Sequence, residues 1–287
     1  MNRNKVFTLV MLICLCLPFT YGGCSGGGSS GGDDQVYVEE PFYFEVAVEN
    51  HDRLRIQAIG GSIEITGNPA ADSVTIEGER RVGSDSKSDA AAYLTELEVE
   101  VTDLGTEVFV ETIQPRLARG RNYEVDYRIT IPENLEVFAN QVGGSVFINS
   151  IDSQLSVNNV AGDVELVEIV GSTRVNVVSG QIISEVTLPL DGTLELATVT
   201  GSVDSQVTLL SDGTIDVTAL HGSIYLDIPQ NTSATFAASA FEGAIRLVNL
   251  VLQDQVKTPH TLTGTLGDGS GDIRLETDIG NITVTGF

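Results

Sequence analysis

The hydrophobic positions of this chain recur in a regular pattern between residues 139 and 247. A glycine, a small or polar residue, and then Val or Ile form a triplet whose glycines stand 18, 18, 21, 21 and 21 residues apart. A sustained period of about 20 residues predicts stacked repeats that share one core. The six triplets begin at Gly144, Gly162, Gly180, Gly201, Gly222 and Gly243.

Within each repeat, apolar and polar residues alternate, as in residues 203–207 and 214–217. Alternation is typical of β-strands, whose successive side chains point to opposite faces. β-Branched residues and frequent glycines disfavour helix. We therefore predict an all-β fold, a single-domain right-handed parallel β-helix over residues 36–287. The alternative is a β-sandwich with evenly spaced turns. A left-handed coil of hexapeptide repeats is disfavoured, because intervals of 21 residues are not multiples of six.

The repeat also predicts which columns of side chains face the core. Two apolar columns are expected to point inward, and the residue just before each glycine is expected to point outward. The first inward column is Val142, Val160, Val178, Val199, Leu220 and Phe241. The second inward column is Val146, Val164, Ile182, Val203, Ile224 and Ile245. The outward column is Gly143, Ala161, Ser179, Thr200, His221 and Glu242.

The N-terminus has the pattern of an export signal. Arg3 and Lys5 precede an apolar run over residues 6–17, which is short for a membrane span. Together with Cys24, this pattern resembles a bacterial lipoprotein signal, although Tyr21 stands where such signals usually carry Leu. We expect residues 1–23 to be removed and Cys24 to be lipidated; the alternative is ordinary secretory cleavage nearby.

The segment after the cysteine supports an anchored protein. Residues 24–35 are rich in Gly and Ser, as expected of a flexible tether between an anchor and a domain. By resemblance to Gram-negative lipoproteins, Ser25 would permit outer-membrane sorting. Cys14 and Cys16 lie in the removed segment, so the mature domain would hold no thiol for a disulfide or a thiolate metal site.

The charge balance narrows the range of partners. The chain has 40 Asp and Glu against 15 Lys and Arg. Removal of residues 1–23 would take away two positive charges, which leaves 13 minus 40, or −27. Such a charge repels nucleic acid and anionic lipid headgroups, so we expect neither as a partner.

Between residues 83 and 128 the pattern changes. An alanine- and leucine-rich stretch predicts one short helix near 89–98, with Asp89 as its N-cap. The segment after it carries the one basic cluster of the sequence. Its members could bind a small anion, or they could be solvated loop arginines paired with Glu124 and Asp126. The cluster is Arg116, Arg119, Arg121 and Arg128.

Three short motifs carry a resemblance to a known family. They are residues 61–65 (Gly-Ser-Ile-Glu-Ile), residues 129–132 (Ile-Thr-Ile-Pro) and residues 280–282 (Gly-Asn-Ile). Their order along residues 42–287 resembles the bacterial adhesin β-strand repeat domains of the DUF4097/DUF2807 group. That resemblance implies a parallel β-helix on the cell envelope, adhesive or stress-related, with no catalytic residues to carry over.

Other candidate chemistry is weak. The loop Gly267–Asp272 superficially resembles a calcium-binding turn, but Ile279 stands where an EF-hand needs Glu, so a tight turn is expected. The polysaccharide-cleaving β-helix enzymes need paired carboxylates, and no pair stands out. The outward carboxylates are Asp204, Asp216, Asp227 and Glu242, and the histidines are His51, His221 and His260.

We therefore predict a lipid-anchored, non-catalytic module of the cell envelope, adhesin-like or a scaffold, that binds a glycan or an envelope protein through its outer strand faces. No cofactor and no metal are expected. The alternatives are a polysaccharide-active enzyme and an envelope-stress sensor or assembly scaffold.

Overall fold

The computed structural model describes residues 35–210 and 212–287; the predicted signal, tether and Cys24 lie almost wholly outside this part of the chain. The described residues form 23 strands and one helix, numbered in chain order. The strands are β1 Val36–Ala47, β2 Arg53–Ala58, β3 Ile63–Gly67, β4 Ser73–Ser84, β5 Glu98–Asp103, β6 Glu107–Ile113, β7 Asn122–Ile131, β8 Glu136–Gly143, β9 Val146–Asp152, β10 Leu155–Ala161, β11 Val164–Val170 and β12 Thr173–Ser179. They continue with β13 Ile182–Leu188, β14 Thr193–Thr200, β15 Val203–Leu209, β16 Thr214–His221, β17 Ile224–Ile228, β18 Ala234–Glu242, β19 Ile245–Val248, β20 Gln253–Lys257, β21 Thr261–Leu266, β22 Gly271–Ile279 and β23 Ile282–Gly286.

The strands form two sheets, and each repeat gives one strand to each of them. Sheet A has the order β1-β4-β7-β3-β9-β11-β13-β15-β17-β23-β19, and sheet B has the order β20-β21-β18-β22-β16-β14-β12-β10-β8-β2-β6-β5. A coil is therefore one strand of sheet B followed by one strand of sheet A. From β8 to β17, equivalent strands of successive coils pair in parallel and nearly in register. This arrangement confirms an all-β, solenoid-like fold and excludes the antiparallel sandwich.

The second predicted inward column forms the core between the sheets. Val146, Val164, Ile182, Val203 and Ile224 are at most 1% exposed. Ile245, in the last coil of the stack, is only partly buried because β19 is the edge strand of sheet A. The outward prediction also holds: the residues before the glycines are exposed, apart from a half-buried Gly143.

The first predicted inward column was wrong. Its members lie on the outside of sheet B with 39–66% of their surface exposed. The reason is that the alternation ends one residue earlier than expected. In β10, for example, Asn159 is the last buried residue, and both Val160 and Ala161 point away from the core before the chain turns at Gly162.

The glycine corners are required by close stacking. Gly162 has φ +129°, and a Cβ atom added there would lie 2.1 Å from the carbonyl oxygen of Gly144 in the coil below. Gly180 meets Gly162 in the same way, at 2.1 Å. Since only glycine leaves room for the neighbouring backbone, the triplet recurs where a coil passes from sheet B to sheet A, except in the coil β6–β7.

The chain order and the stacking order differ at both ends. The coil β2–β3 lies between β6–β7 and β8–β9. The final coil, β22–β23, inserts between β16–β17 and β18–β19. Residues 253–265 form most of the antiparallel hairpin β20–β21, which extends sheet B beyond β18.

The N-terminal end is covered by antiparallel strands and the helix. β1 and β4 extend sheet A beyond β7, and β5 extends sheet B beyond β6. The helix α1 spans Lys87–Leu94, two residues earlier than predicted at its start, and its N-cap is Ser86. Asp89 is therefore not the cap; its carboxylate instead accepts hydrogen bonds from Arg121 and Ser84.

Candidate functional site

A groove of about 760 Å³ runs across the strands on the outer face of sheet B. Successive coils contribute the same positions to it, so its lining repeats along the stack. Two outward columns of side chains form most of its surface, one apolar and one polar. We call them the apolar ladder and the amide ladder. The apolar ladder is Ile59, Val142, Val160, Val178, Val199 and Leu220; the amide ladder is Gln57, Asn140, Asn158, Asn176, Ala197 and Thr218.

The apolar ladder is straight because the coils pair in register. Asn159 lies opposite Val177, and Ala161 lies opposite Ser179, so Val160 and Val178 between them are neighbours. The five members from Val142 to Leu220 are 39–53% exposed, and Ile59 is half-buried. Neighbouring strands lie about 4.8 Å apart, so the ladder's five steps span about 24 Å.

The amide ladder is held by its own hydrogen bonds. Asn158 Nδ2 donates to Asn140 Oδ1 at 2.9 Å, and Asn176 Nδ2 donates to Asn158 Oδ1 at 3.0 Å. Above Asn176 the column continues with Ala197 and Thr218. These hydrogen bonds hold the three asparagine side chains in one row beside the apolar ladder.

The groove is nearly uncharged, in contrast to the protein as a whole. Among the residues that the structure describes, Glu111, at the β6 end, is the one charged residue that lines it, whereas the sequence has a formal net charge of −25. At the other end the inserted coil places Glu276 beside Thr218, and the register there places Asp278 beside Leu220. Both carboxylate residues are exposed. Acidic side chains therefore bound the apolar ladder at both ends.

A smaller cavity of about 350 Å³ adjoins the groove and shares Gln57, Asn140 and Asn158 with it. It also contains Arg53 and Arg55, which are not free cations. Arg53 Nη2 lies 2.7 Å from Glu136 Oε2, and Arg55 forms an ion pair with the buried Glu107. The two guanidinium groups and two carboxylates balance, so this cavity is polar without net charge.

Beneath the groove, buried polar side chains donate hydrogen bonds to the backbone of the glycine corners. Asn159 Nδ2 donates to the carbonyl oxygens of Gly144 and Gly162 at 3.0 and 2.9 Å. In a later coil, Thr198 Oγ1 donates to Gly180 O at 3.2 Å. A buried carbonyl without a donor costs free energy, which explains polar residues at a core position.

The structure separates the members of the predicted basic cluster. Arg121 pairs with Asp89 at 2.6 Å and lies 3.4 Å from the ring centroid of Tyr93. The pKa of Asp89 falls to about 2, chiefly because Arg121 donates hydrogen bonds to its carboxylate. Arg128 lies 3.4 Å from Glu77 on the outer face of sheet A. The predicted pairing of these arginines with Glu124 and Asp126 is therefore wrong.

Those predicted partners belong to another residue. Glu124 and Asp126 both pair with Arg81, at 2.8 and 2.6 Å. Arg116 and Arg119 are exposed in the segment between β6 and β7. The structure therefore does not assemble the four predicted arginines into an anion site.

The candidate carboxylates are split between the two sheets. Asp204 and Asp227 lie on sheet A, whereas Asp216 and Glu242 lie on sheet B. Within residues 35–210 and 212–287, no three His, Cys, Asp or Glu side chains are placed to hold a metal ion. The four candidate carboxylates, among which the sequence singles out no pair, therefore do not lie together on one face of the coil.

Each histidine has a separate environment. His51 Nε2 lies 2.9 Å from Asp103, and His260 stacks on Phe241 with ring centroids 5.9 Å apart. The pKa of Asp103 is lowered, first by the backbone N–H of Gly105 and then by His51. His221 is exposed at the end of β16.

The calcium-like segment is a tight turn between β21 and β22, as predicted. Asp268 accepts a hydrogen bond from Ser233 Oγ, and its backbone N–H donates to the same hydroxyl oxygen at 2.6 Å. The Ser233 hydrogen bond lowers the pKa of the Asp268 carboxyl. The carboxylate of Asp268 therefore stabilises the turn by accepting hydrogen bonds.

Sequence reasoning missed the groove, although a signal was present. Position −2 before each glycine is apolar, whereas the position just before it is small or polar in most repeats. Two successive outward residues interrupt the alternation where a strand ends or at a β-bulge. Knowledge of the corner geometry would therefore have turned the predicted core column into a surface column.

Comparison with known proteins assigns the family. The Toastrack DUF4097 family matches residues 48–285, so the chain belongs to that family. None of the curated proteins compared with the chain matches it. No helix in the part of the chain that the structure describes is long and apolar enough to cross a membrane.

Among solved structures, a "putative cell adhesion protein" from Clostridium sporogenes is 10% identical, with a TM-score of 0.37 over 87% of this chain and 100% of the other. A "putative adhesin" from Bacteroides fragilis is 13% identical, with a TM-score of 0.34 over 85% and 97%. A "Putative lipid binding protein" from Parabacteroides distasonis is 14% identical, with a TM-score of 0.24 over 86% and 95%. Likenesses at this level do not transfer a ligand.

Proposed function

We propose that this protein is an adhesin-like, non-catalytic binding module of the cell envelope, and that it binds through the groove on sheet B. The observation that carries this proposal is the apolar ladder. A protein with 40 acidic residues presents six aligned aliphatic side chains on a surface that holds one charged residue. Contiguous exposed apolar surface of this kind is typical of interaction sites.

The test uses a chain that cannot be lipidated, so that a lipid anchor does not contribute to its retention. A Cys24→Ser chain is mixed with washed envelope membranes, and cosedimentation is measured with and without Val160→Lys/Val178→Lys. We expect the double substitution to reduce the retained fraction at least about tenfold, because a charge would have to be buried on binding. Equal retention of both chains would contradict the proposed site.

The matched control is Ile183→Lys. Ile183 is 41% exposed, similar to Val178, but it lies on sheet A between Glu165 and Asp204. A lysine there meets carboxylates and should not change retention. The comparison separates the groove from a general effect of added positive charge.

The anchor is a second part of the proposal. We propose that residues 1–23 are a lipoprotein signal, that Cys24 carries the lipid, that residues 24–35 are a tether, and that the module sits on the outer membrane. The support is the sequence pattern alone. Cells grown with labelled palmitate should label the natural chain and not its Cys24→Ser variant; unchanged membrane partition without lipid labelling would contradict the anchor.

Two further statements belong to the same proposal. We propose a right-handed coil, since nearly all crossovers between parallel strands of one sheet are right-handed. Nucleic acid is not a partner, because the chain is strongly acidic. A panel of acidic and neutral polysaccharides tests the enzyme alternative: new reducing or unsaturated ends, abolished by one carboxylate substitution, would replace a binding role with a catalytic one.

A further inference from the structure

We infer that the groove on sheet B holds a single extended acyl chain, that of a monoacyl lipid with an uncharged polar head group. This inference rests on the proposed function, because it names the ligand class of the same groove. It follows from the shape of the apolar ladder, the chemistry of its borders and the hydrogen bonds already made there.

The shape of the site suits a hydrocarbon tail. The apolar ladder is one side chain wide and about 24 Å long. The hydrocarbon core of a bilayer is about 30 Å thick, so one lipid tail extends for about 15 Å. A tail laid along the ladder would therefore be contacted by aliphatic side chains over its whole length. The groove volume, about 760 Å³, lies within the usual range for small-molecule sites.

The position of the groove in the middle of the sheet disfavours a bound peptide. The groove crosses the strands, and the strands beneath it already pair with both neighbours. A bound peptide would therefore find no free strand edge for its own N–H and C=O groups, as β-strand addition requires. A hydrocarbon chain has no such groups to satisfy.

The apolar part of the lining disfavours a glycan. The apolar ladder offers neither donor nor acceptor to sugar hydroxyls, and Asn140, Asn158 and Asn176 beside it already bond to one another in a row. Within the described part of the chain, no aromatic ring lines the groove, although aromatic faces are what sugar rings would stack on. For this groove, an acyl chain is therefore the better fit than a glycan.

A second copy of the chain fits less well. A strip one residue wide falls far short of the roughly 800 Å² per partner that a stable protein interface buries. Each copy would also bring a formal charge of −25. Glu111 and Glu276 bound the strip at its two ends, so two copies in an antiparallel arrangement would bring carboxylates together.

The adjoining cavity explains the choice of head group. It opens from the groove at Gln57, and its Arg53 and Arg55 are neutralised by Glu136 and Glu107. Guanidinium N–H groups there can donate to hydroxyl or ester oxygens, while the net charge of the cluster offers no attraction to an anion. A glycerol head group meets both conditions.

The experiment uses the full chain and a palmitoyl monoacylglycerol with a fluorescent nitrobenzoxadiazole label on its head group. Binding is followed by fluorescence, and unlabelled monoacylglycerols from octanoyl to palmitoyl serve as competitors. We expect saturable binding, and competitor affinity that rises about two- to fourfold for each added methylene, because each buries more apolar surface.

Matched variants locate the binding. Val160→Lys/Val178→Lys should weaken the probe at least about tenfold, and Ile183→Lys should change it by less than about twofold. Both variants substitute exposed residues, and circular dichroism should show the same strand content and unfolding temperature as the natural chain. No probe binding, affinity independent of chain length, or equal loss in both variants would overturn the inference.

The envelope cosedimentation assay distinguishes failure of this inference from failure of the proposed function. If Val160→Lys/Val178→Lys abolishes cosedimentation while the natural chain ignores the probe, the groove binds something else and the acyl assignment is overturned. Binding of a neutral polysaccharide, or a change of oligomeric state, with the same mutational profile and no probe binding would have the same meaning.

Discussion

Two apolar columns of this protein have similar residues and the same period, but opposite environments. The buried column from Val146 to Ile224, called here the inner ladder, is at most 1% exposed. The apolar ladder of the groove, called here the outer ladder, is 39–53% exposed from Val142 to Leu220. They stand four residues apart in each coil, on either side of the glycine corner. A repeat therefore determines which residues align and leaves open which face of the sheet they occupy.

The difference lies in what each ladder contacts. Inner side chains meet the opposite sheet and form one continuous core. Outer side chains line the groove beside the amide ladder and remain 39–53% exposed. Core packing explains the first set, whereas the second gains little for stability from being aliphatic, which is why we assign it to binding.

The largest expected effect is at the corner that separates the ladders. Gly162→Ala would place a Cβ atom 2.1 Å from Gly144 O, and backbone on both sides prevents relaxation. We expect a loss of at least about 4 kcal/mol in the free energy of unfolding, measured by urea denaturation. Gly105→Ala is the control, since Gly105 also has positive φ (+87°) but no atom within 4 Å of the added methyl group. A similar loss in both variants would show that φ, and not stacking, selects glycine.

The next effect compares the ladders directly. Ile182→Ala removes buried methyl groups and should cost about 2–5 kcal/mol. Val178→Ala, four residues earlier, should cost less than about 1 kcal/mol, because its side chain is 49% exposed. Equal costs in chemical denaturation would mean that the outer ladder is structural after all.

Asn159 and its exposed neighbour Asn158 test the same difference between buried and exposed positions with polar side chains. Asn159→Leu would remove the donor to Gly144 O and Gly162 O and should cost about 1–3 kcal/mol. Asn158→Leu, on the exposed neighbour, should cost under about 0.5 kcal/mol. Asn159→Thr, which imitates Thr198, should recover most of the loss. If Thr behaved like Leu, side-chain hydrogen bonding to the corner would not be the reason for a polar residue there.

The smallest effect concerns Asp89, which belongs to neither ladder. Its carboxyl pKa of about 2 lies below the ordinary value of 3.8, first because of Arg121. A lowered folded-state pKa stabilises the fold above pH 3.8, and this contribution disappears as the pH falls towards 2. Asp89→Asn should therefore lower the unfolding temperature by a few degrees at most at pH 7, and the difference should vanish near pH 2. A difference unchanged by acid would contradict this ion pair.

Much of the fold could be predicted because the core residues follow patterns that are local in the sequence. The Gly-x-[Val/Ile] triplet and the alternation identified the parallel coils and the inner ladder. The helix was found two residues late because Ser86, and not Asp89, accepts the first free N–H. Ion pairing with Arg121 is a tertiary contact, and no local rule reveals it.

The rest depends on contacts between distant parts of the chain. Nothing in residues 271–286 indicates that this coil inserts before β18–β19, since its triplet matches those of the other coils. The groove depends on the same information, because strand ends decide whether Val160 faces the core or the solvent. The pairing of Arg81 with Glu124 and Asp126 likewise joins strands that lie over 40 residues apart.

The most direct test of this account measures which ladder faces the solvent. In a chain whose three native cysteines are replaced by serine, Val178→Cys and Ile182→Cys are made separately and treated with a thiol reagent under native conditions. We predict rapid, complete labelling at position 178 and labelling at position 182 only after denaturation. Protection at position 178 with rapid labelling at position 182 would contradict the outward apolar ladder and, with it, the binding groove.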